Sequence, residues 1–325
     1  MINNIKVGIV GGAGYTGGEL LRILIHHPLV DIVFVHSSSN AGNKVFEVHT
    51  DLLGDTDLVF SSHFNAPIDV LFMCVGHGDA KKFLEANPEF LNNNHLKIID
   101  LSQDFRTETN AFVYGLPELK RDKIKAATRI ANPGCFATAI QLSLLPLASK
   151  HLLKDEIHIA ATTGSTGAGQ SLAATSHFTW RNNNLSVYKA FEHQHLKEIT
   201  QSIVSLEPNF NQSINFIPYR GAFARGIMAS VYTKSDLSLQ QAKALYQTYY
   251  ASHPFTHISD KNIDLKQVVN TNKCILYVEK NGNNLLLLSI IDNLAKGASG
   301  QAVQNMNLIF GLEETTGLKL KPVGF

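Results

Sequence analysis

The first third of the chain alternates short apolar runs with amphipathic stretches. The apolar runs are residues 6–10, 31–35, 69–75 and 96–101. Residues 19–27 and 79–86 instead place apolar side chains at helical spacing, and Pro28 ends the first of these helices. Continuous apolar runs are typical of parallel strands that are buried on both faces. Strand, helix and strand at this spacing predict an α/β fold with a doubly wound parallel sheet.

The pattern changes after Cys135. Helices are predicted over residues 138–150, with an interruption at Pro146, and over residues 189–206 and 239–251. Strands are predicted over residues 156–163, 213–218, 226–233, 273–279 and 284–291. Strands with inserted helices predict a second, mixed α+β domain whose sheet is largely antiparallel. Residues 300–313 are again helical in pattern, so we expect residues 298–325 to return to a first domain of residues 1–135, with residues 136–297 forming the second.

Composition and charge exclude several classes of function. The 325 residues are 44% apolar and 17% charged, and 28 Lys and Arg against 27 Asp and Glu leave a net charge of +1. We therefore expect no nucleic-acid partner, because such proteins carry a basic footprint. No apolar run approaches the roughly 20 residues of a membrane helix, and we expect no signal peptide, because a predicted strand begins almost at once. Three widely spaced cysteines predict neither disulfides nor a metal site, as in a reduced cytoplasmic protein.

A glycine-rich turn lies between the first predicted strand and the first predicted helix. Gly11, Gly14 and Gly17 form a GxxGxxG variant of the dinucleotide fingerprint. Such a turn brings the backbone close to a pyrophosphate and aims helix N–H groups at it. A glycine-rich turn without a ligand is the alternative.

The residues after the second strand bear on which dinucleotide is bound. NAD sites usually place an acidic residue there to bind the ribose 2′-hydroxyl, whereas this chain has His36 followed by Ser37 and Ser38. This hydroxyl-rich loop, followed by Lys44, favours NADP(H).

Cys135 is the candidate nucleophile. It follows Asn132-Pro133-Gly134 and opens an apolar helix, and a thiol at a helix start is activated by the positive end of the helix dipole. Cys74 and Cys274 lie in predicted strands, where a buried, inert cysteine is the expected state.

The closest pair of histidines, His193 and His195, supplies the candidate base. Two residues apart on a helix, they would point in nearly opposite directions. Both can reach one site if the helix starts near Gln194, which would leave His193 in the preceding loop. A metal-ligand pair or a solvated helix start are the alternatives.

Two further groups could bind anions or cofactor. The loop that contains Gly167 and Gly169 offers backbone N–H groups to an anion or a nicotinamide amide. Arg106, Arg220 and Arg225 are candidates to bind a phosphate or a carboxylate, since a guanidinium binds either in a bidentate manner.

Taken together, these segments resemble the N-acetyl-gamma-glutamyl-phosphate reductase family, which is related to the aspartate-semialdehyde dehydrogenases. The motifs that carry the resemblance are Gly14-Tyr15-Thr16-Gly17, Glu47-Val48-His49, Ile99-Asp100-Leu101-Ser102, Asp104-Phe105-Arg106, Tyr114-Gly115-Leu116-Pro117-Glu118, Asn132-Pro133-Gly134-Cys135, the His193/His195 segment, Arg225-Gly226-Ile227, and Ile291-Asp292-Asn293-Leu294 with Lys296-Gly297-Ala298 and Gly300-Gln301-Ala302.

The resemblance implies a Rossmann-type NADP-binding domain joined to a catalytic and oligomerisation domain in a homodimer or homotetramer. It implies that NADPH reduces an N-acyl-gamma-glutamyl phosphate to its semialdehyde through a Cys135 thioester, with His195 as acid and base and His193 as the second choice. Cofactor contacts are expected from Gly11, Gly14, Tyr15, Thr16, Gly17, Ser37, Ser38, Lys44, Gly167, Gly169 and Asn293. Substrate contacts are expected from Arg106, Asn132, Arg220 and Arg225.

Other interpretations stay open at this point. Aspartate-semialdehyde dehydrogenase would use the same chemistry on a shorter substrate, and a non-catalytic NADP-binding sensor would keep the fold alone. The acyl group is also open, because Tyr219-Arg220 stands where the family places a histidine after the proline. This departure could favour an extra carboxylate on the substrate, as in a succinyl group.

Overall fold

The computed structural model describes residues 4–64, 67–107 and 111–324. The chain forms two compact units. Unit 1 contains the described residues of Met1–Pro133 together with Ala298–Lys319, and unit 2 contains those of Gly134–Gly297 and Leu320–Phe325. Each unit is therefore built from two separate stretches of the chain.

A seven-stranded sheet in the order β3-β2-β1-β4-β5-β7-β6 forms the centre of unit 1, and all its neighbouring strands are parallel. The strands are β1 (Ile5–Val10), β2 (Val30–His36), β3 (Phe60–Ser61), β4 (Val70–Met73), β5 (Lys97–Asp100), β6 (Val113–Tyr114) and β7 (Arg129–Ala131). All four residues of β4 are buried, as a central parallel strand requires. The predicted doubly wound, Rossmann-type sheet is confirmed.

Helices pack around this sheet within unit 1. They are α1 (Tyr15–Leu24), α2 (Val45–Val48), α3 (Asp79–Ala86), α4 (Glu89–Asn92), α5 (Pro117–Lys125) and α10 (Gly300–Ile309). The sequence predicted that the first helix starts at Glu19, but α1 starts at Tyr15. Its first turn includes Gly17, where the backbone packs so closely on the preceding turn that only glycine fits.

Unit 2 contains a second seven-stranded sheet, in the order β12-β13-β14-β11-β8-β10-β9. The strands are β8 (Ile157–Thr163), β9 (Ser186–Val187), β10 (Ile214–Arg220), β11 (Ile227–Lys234), β12 (Thr256–Ser259), β13 (Cys274–Asn281) and β14 (Asn284–Ile291). The β8–β10 and β12–β13 pairs are parallel and the other four pairs are antiparallel. The predicted mixed second sheet is confirmed.

The helices of unit 2 are α6 (Cys135–Ala148), α7 (Phe178–Arg181), α8 (Leu196–Leu206) and α9 (Leu239–Tyr250). The sequence predicted a helix over residues 189–206, but α8 begins only at Leu196. Lys189 and Phe191 adopt left-handed backbone conformations, with φ of 46° and 62°, which a right-handed helix does not contain. His193 therefore lies before the helix, and His195 is its N-cap residue.

The predicted interruption of α6 at Pro146 is wrong, because the helix continues to Ala148. Proline lacks the N–H that would donate to the carbonyl four residues earlier, that of Leu142. The Tyr250 hydroxyl donates to this carbonyl oxygen instead, at 2.5 Å. A side chain from α9 thus replaces the missing backbone hydrogen bond of α6.

Candidate active site

The three fingerprint glycines of unit 1 have three different physical roles. Gly11 has φ of +80°, and a Cβ there would lie 2.5 Å from the Cys74 carbonyl oxygen. A Cβ on Gly17 would lie 2.7 Å from the Gly11 carbonyl oxygen, so this glycine permits close packing of helix on turn. At Gly14, the N-cap of α1, a Cβ would meet its nearest neighbour only at 3.8 Å, which leaves open space at the helix N-terminus. This arrangement fits a dinucleotide pyrophosphate.

A buried histidine supports the same turn, and sequence reasoning did not assign it a role. His49 Nε2 donates a hydrogen bond to the Gly12 carbonyl oxygen at 2.8 Å. Burial lowers the pKa of His49 below its ordinary value, with the hydrogen bond to Gly12 acting in the opposite direction. The neutral ring with its proton on Nε2 therefore holds the glycine-rich turn in shape. The signal available in the sequence was the Glu47-Val48-His49 motif alone.

The loop after β2 carries the predicted ribose contacts. Ser37 is buried and its backbone N–H donates to the Ser61 carbonyl oxygen, whereas Ser38 is exposed. Lys44 Nζ lies 2.9 Å from a carboxylate oxygen of Asp57, and this ion pair raises the pKa of Lys44. Since Lys44 has an acidic partner, its contact with a 2′-phosphate stays a prediction.

The remaining predicted cofactor residues of unit 1 flank the start of α1. Tyr15 is exposed, and Thr16 is half-buried. The Thr16 carbonyl oxygen accepts a hydrogen bond from the Ser299 hydroxyl at 2.7 Å.

Two predicted substrate residues of unit 1, Arg106 and Asn132, are buried and bonded to backbone. Arg106 donates to the carbonyl oxygens of Asn132 and Leu101, at 2.9 and 3.0 Å. The Asn132 amide donates to the Ala298 carbonyl oxygen at 2.9 Å and accepts from Asn305 at 3.2 Å. These contacts join the loops after β5 and β7 to the chain entering α10. The part of either residue in substrate binding stays a prediction.

Cys135, in unit 2, is the first residue of α6 and is partly exposed. Its thiol is therefore at the positive end of the helix dipole, which favours the thiolate. Gly297 lies directly against it, since a Cβ on Gly297 would be 2.9 Å from the Cys135 Cβ. By contrast, burial raises the pKa of Cys74 to about 12, so that thiol is protonated and unreactive at neutral pH.

A buried carboxylate connects the start of α6 with the histidine pair. Glu198 Oε2 accepts a hydrogen bond from the backbone N–H of Gly134 at 2.9 Å. Its Oε1 lies 3.9 Å from His195 Nε2. Glu198 is only 4% exposed. Glu198 was not predicted as a site residue, and the available signal in the sequence was its position one helical turn after His195.

The two histidines lie side by side, with ring centroids 4.6 Å apart. Both rings also pack edge-on against Phe136, the residue after Cys135. His193 Nδ1 accepts the backbone N–H of His195 at 3.2 Å, and burial lowers the pKa of His193 to about 4. His193 is thus neutral at physiological pH. The carboxylate beside His195 makes that residue the better candidate for proton transfer.

Asp292 organises another part of unit 2. Its carboxylate binds Arg225 in a bidentate manner, with distances of 2.9 and 3.0 Å. It also accepts the backbone N–H groups of Asn270, Leu294 and Ala295. The Arg225 guanidinium is therefore engaged within the protein.

Asn293 lies beside the glycine-containing loop of residues 164–169. Its Oδ1 accepts the Gly226 N–H at 2.7 Å, and its Nδ2 donates to the Thr166 hydroxyl at 2.9 Å. Gly167 and the exposed Gly169, which has φ of +75°, follow in the same loop. The structure thus brings these three predicted nicotinamide residues into one region of unit 2, and their contact with cofactor stays a prediction.

The Arg220 guanidinium packs on the ring of Tyr188. Its guanidinium carbon is 4.7 Å from the centroid of the Tyr188 ring, and that ring packs edge-on against His193 at 5.7 Å. Burial raises the pKa of Tyr188 to about 12, and the charge of Cys135 adds to this effect while Arg220 opposes it. The phenol, the thiol and the guanidinium therefore interact electrostatically.

No group of three or more His, Cys, Asp and Glu side chains could hold a metal ion within residues 4–64, 67–107 and 111–324. In the same ranges, no helix is both long enough and apolar enough to cross a membrane.

Comparisons with known proteins identify the class of protein to which this chain belongs. A family model described as "Semialdehyde dehydrogenase, NAD binding domain" matches residues 6–127, and one described as "Semialdehyde dehydrogenase, dimerisation domain" matches residues 135–293. The solved structure of aspartate semialdehyde dehydrogenase II from Vibrio cholerae has a TM-score of 0.76 at 16% identity, covering 95% of this chain and 99% of that one. A probable aspartate-semialdehyde dehydrogenase from Pseudomonas aeruginosa gives 0.73 at 15% identity with the same coverage. The fold is that of the semialdehyde dehydrogenases, and the first unit is of the type that binds a nicotinamide cofactor.

Curated relatives give the family. N-acetyl-gamma-glutamyl-phosphate reductase of Azobacteroides pseudotrichonymphae is 62% identical over 99% of this chain and 100% of its own length. The protein of the same name from Phocaeicola vulgatus is 59% identical, with the same coverage. The chain belongs to the N-acetyl-gamma-glutamyl-phosphate reductase family, which confirms the resemblance seen in the sequence.

Proposed function

We propose that this protein reduces an N-acyl-gamma-glutamyl phosphate, with N-acetyl as the family's acyl group, to the N-acylglutamate semialdehyde in arginine biosynthesis. Phosphate is released and NADPH is the reductant. The observation that carries the proposal is the arrangement in unit 2. A partly exposed thiol opens α6, the amide before it is bonded to buried Glu198, and that carboxylate lies beside His195.

In the proposed reaction Cys135 performs covalent catalysis. A carboxylate is a poor electrophile, so the substrate is an acyl phosphate. His195 takes the thiol proton, and the Cys135 sulfur attacks the acyl carbon. The carbon–oxygen bond to phosphate breaks, phosphate leaves with the electron pair and takes the proton from His195, and a thioester remains on Cys135.

The second half of the reaction releases the aldehyde. When bound, the nicotinamide supplies the hydride that reduces the thioester carbon. The carbon–sulfur bond then breaks and Cys135 leaves as a thiolate. The Gly134 N–H is bonded to Glu198, so we assign stabilisation of the oxyanion to the first-turn amides of Cys135, Phe136 and Ala137, which have no intrahelical acceptor.

For the cofactor we propose NADP(H) over NAD(H). The support is the loop of Ser37 and Ser38 after β2, where no acidic residue stands to bind a free 2′-hydroxyl. Lys44 would share its charge between Asp57 and a 2′-phosphate. The ratio of kcat/KM for NADPH to that for NADH tests this choice. A ratio below one would contradict it.

For the organisation we propose that residues 1–135 with 298–325 bind the nucleotide and that residues 136–297 bind the acyl substrate. A homodimer or homotetramer is supported by the family model named as a dimerisation domain. We also propose that the protein acts in the cytoplasm on a small-molecule acyl phosphate, because its chemistry needs a reduced thiol.

The test runs the reaction in reverse. N-acetylglutamate semialdehyde, NADP and phosphate are mixed with the protein, and NADPH formation is followed by its absorbance. The wild type should form NADPH only with phosphate or arsenate present. Cys135→Ala should abolish this, whereas Cys274→Ala, which removes a buried thiol of the same unit, should retain it.

The same experiment distinguishes two alternative functions. Turnover of aspartate semialdehyde but of no N-acylglutamate semialdehyde would identify an aspartate-semialdehyde dehydrogenase. Binding of NADP without turnover of the N-acetyl, N-succinyl or aspartyl substrate would identify a non-catalytic sensor.

A further inference from the structure

We propose that Arg220, supported by Arg181, binds a carboxylate group of the acyl substrate. This inference rests on the proposed function and names the chemical group that Arg220, one of the predicted substrate residues, binds. The carboxylate has two sources, the α-carboxylate of the glutamyl moiety and a carboxylate on the acyl group itself. The experiment below separates them.

Arg181 is a buried cation that is anchored by neutral groups. It is 7% exposed, and its guanidinium donates to the carbonyl oxygens of Thr175 and Arg220 and to the Ser186 hydroxyl, at 3.4, 2.6 and 3.1 Å. Within the described residues, neither Arg181 nor Arg220 forms an ion pair with a carboxylate. The positive charge of this region is therefore not balanced internally.

The two cations are close enough to affect each other. Burial lowers the pKa of Arg181, and the charge of Arg220 lowers it further. Two guanidinium groups that repel each other next to a substrate site are stabilised by an anion that binds between or beside them.

Arg220 itself has unused hydrogen-bonding capacity. Its Nε is buried from solvent and has no hydrogen-bond partner in the described part of the chain. A buried donor without an acceptor is unfavourable, so an anion that supplies the acceptor would be bound favourably at this atom. The Tyr188 ring below the guanidinium holds it by a cation–π contact and fixes its plane.

The position of Arg220 suits contact with a side group of the substrate rather than with its reacting carbonyl. Arg220 is the last residue of β10 and pairs with Ser186 of β9. Tyr188 stands between it and the His193 ring, and the charge of Cys135 acts on the same phenol. A group bound to Arg220 therefore lies beside Tyr188, whose ring contacts His193.

Arg225, the other arginine of unit 2 that was predicted to bind substrate, already binds a carboxylate of the protein. Arg225 binds Asp292 with two hydrogen bonds. A guanidinium that is committed to a fully buried carboxylate is a poor ligand for a second anion. Arg220 is consequently the better assignment of the two for substrate binding.

The test uses Arg220→Gln and Arg220→Lys, with Arg129→Gln in unit 1 as a control for loss of a partly buried arginine. The reverse reaction is measured with N-acetylglutamate semialdehyde, N-succinylglutamate semialdehyde and phosphate as varied substrates. We expect Arg220→Gln to raise the KM for a semialdehyde roughly 10- to 100-fold, the loss typical of a hydrogen bond to a charged group. The KM for phosphate should stay unchanged, and Arg220→Lys should recover part of the loss.

The pattern of losses identifies the carboxylate. Equal losses for both semialdehydes assign Arg220 to the α-carboxylate, whereas a loss confined to the N-succinyl substrate assigns it to the acyl carboxylate. An increase in the KM for phosphate alone, or no change for either semialdehyde, would overturn the proposal.

A binding measurement separates this proposal from the proposed function. N-acetylglutamate and N-succinylglutamate are titrated calorimetrically into the wild type and Arg220→Gln, a measurement that needs no turnover. If the wild type lacks activity, weaker binding to the variant still supports the subsite, and equal binding refutes it.

Discussion

The backbone amide before Cys135, the proposed nucleophile, is hydrogen-bonded to the carboxylate beside His195, the proposed base. Gly134 N donates to Glu198 Oε2 at 2.9 Å, and the other oxygen of the same carboxylate lies 3.9 Å from His195 Nε2. One buried side chain thus sets the start of α6 and the place of the imidazole together. We therefore expect Glu198 to act as a positioning residue, through Gly134 and His195.

Glu198→Gln should lower kcat while leaving the KM for the semialdehyde nearly unchanged. The amide keeps the shape but removes the charge beside His195, and the hydrogen bond from the Gly134 N–H becomes a neutral one. Because a bond to a charged group is worth about 1 kcal/mol more than a neutral one, kcat should fall roughly tenfold. Steady-state kinetics over a range of pH measures this.

Glu198→Asp, which restores the charge on a shorter side chain, is the matching variant. It should recover part of the rate and the wild-type shape of the pH profile. If Glu198→Gln and Glu198→Asp lose the same rate with the same profile, packing alone would explain the effect.

His193 should make the protein less stable in acid. Its pKa falls from the ordinary 6.5 to about 4 in the folded state, so between these values the unfolded chain binds a proton that the folded one does not. Stability should therefore decrease as the pH falls from 6.5 towards 4, by about 1.4 kcal/mol per unit and about 3 kcal/mol in all.

The variant His193→Asn tests the assignment to this ring, because the amide oxygen can still accept the His195 N–H without titrating. Urea unfolding at several pH values should show a shallower loss of stability for the variant than for the wild type. Parallel curves would mean that other groups cause the acid sensitivity.

Gly14→Ala and Gly17→Ala should fail in different ways. A Cβ at Gly17 would overlap the Gly11 carbonyl oxygen, so Gly17→Ala should destabilise unit 1. A Cβ at Gly14 meets no protein atom within 3.8 Å, so Gly14→Ala should keep the wild-type Tm but bind NADP about tenfold more weakly or worse. Thermal unfolding and NADP titration of both variants measure this, and a normal NADP affinity for Gly14→Ala would argue against pyrophosphate binding at this turn.

Tyr250 and Pro146 should be coupled energetically. Tyr250→Phe removes the donor to the Leu142 carbonyl oxygen and should cost about 1–3 kcal/mol, the penalty of a buried unsatisfied group. In a Pro146→Ala background the helix regains its own N–H, and the same change should cost less. A double-mutant cycle by denaturant unfolding measures the difference. Strictly additive costs would show that the hydroxyl does not substitute for the missing amide.

The order of elements could be predicted where local pattern decides it. The existence of a parallel and a mixed sheet, nine of the described strands and the helix Asp79–Ala86 follow from apolar runs and spacing. The strands β3, β6, β7, β9 and β12 were not predicted, because each is too short to give a pattern of its own. The continuation of α6 through Pro146 could not be predicted, because its cause is a hydroxyl 108 residues away from Leu142. The late start of α8 depends on left-handed conformations at Lys189 and Phe191, residue types that give no local signal for them.

The residues of the candidate site could likewise be predicted only where their signal in the sequence is local. Cys135 was found because its signal is local, a turn followed by an apolar helix. The roles of Arg220 and Arg225 could not be separated from sequence, since each is an arginine near glycine. What distinguishes them is Asp292, 67 residues from Arg225, and the ring of Tyr188 beneath Arg220.

The two-piece construction of unit 1 has a consequence during synthesis. Helix α10, buried from Gly300 to Leu308, completes this unit, yet it is synthesised only after the whole stretch Gly134–Gly297. At the usual 5–20 residues per second, the first 133 residues wait roughly ten to thirty seconds with the surface for α10 uncovered. Nascent unit 1 therefore exposes the surface that α10 covers until late in synthesis, and a truncated chain that ends before Ala298 would keep it permanently exposed.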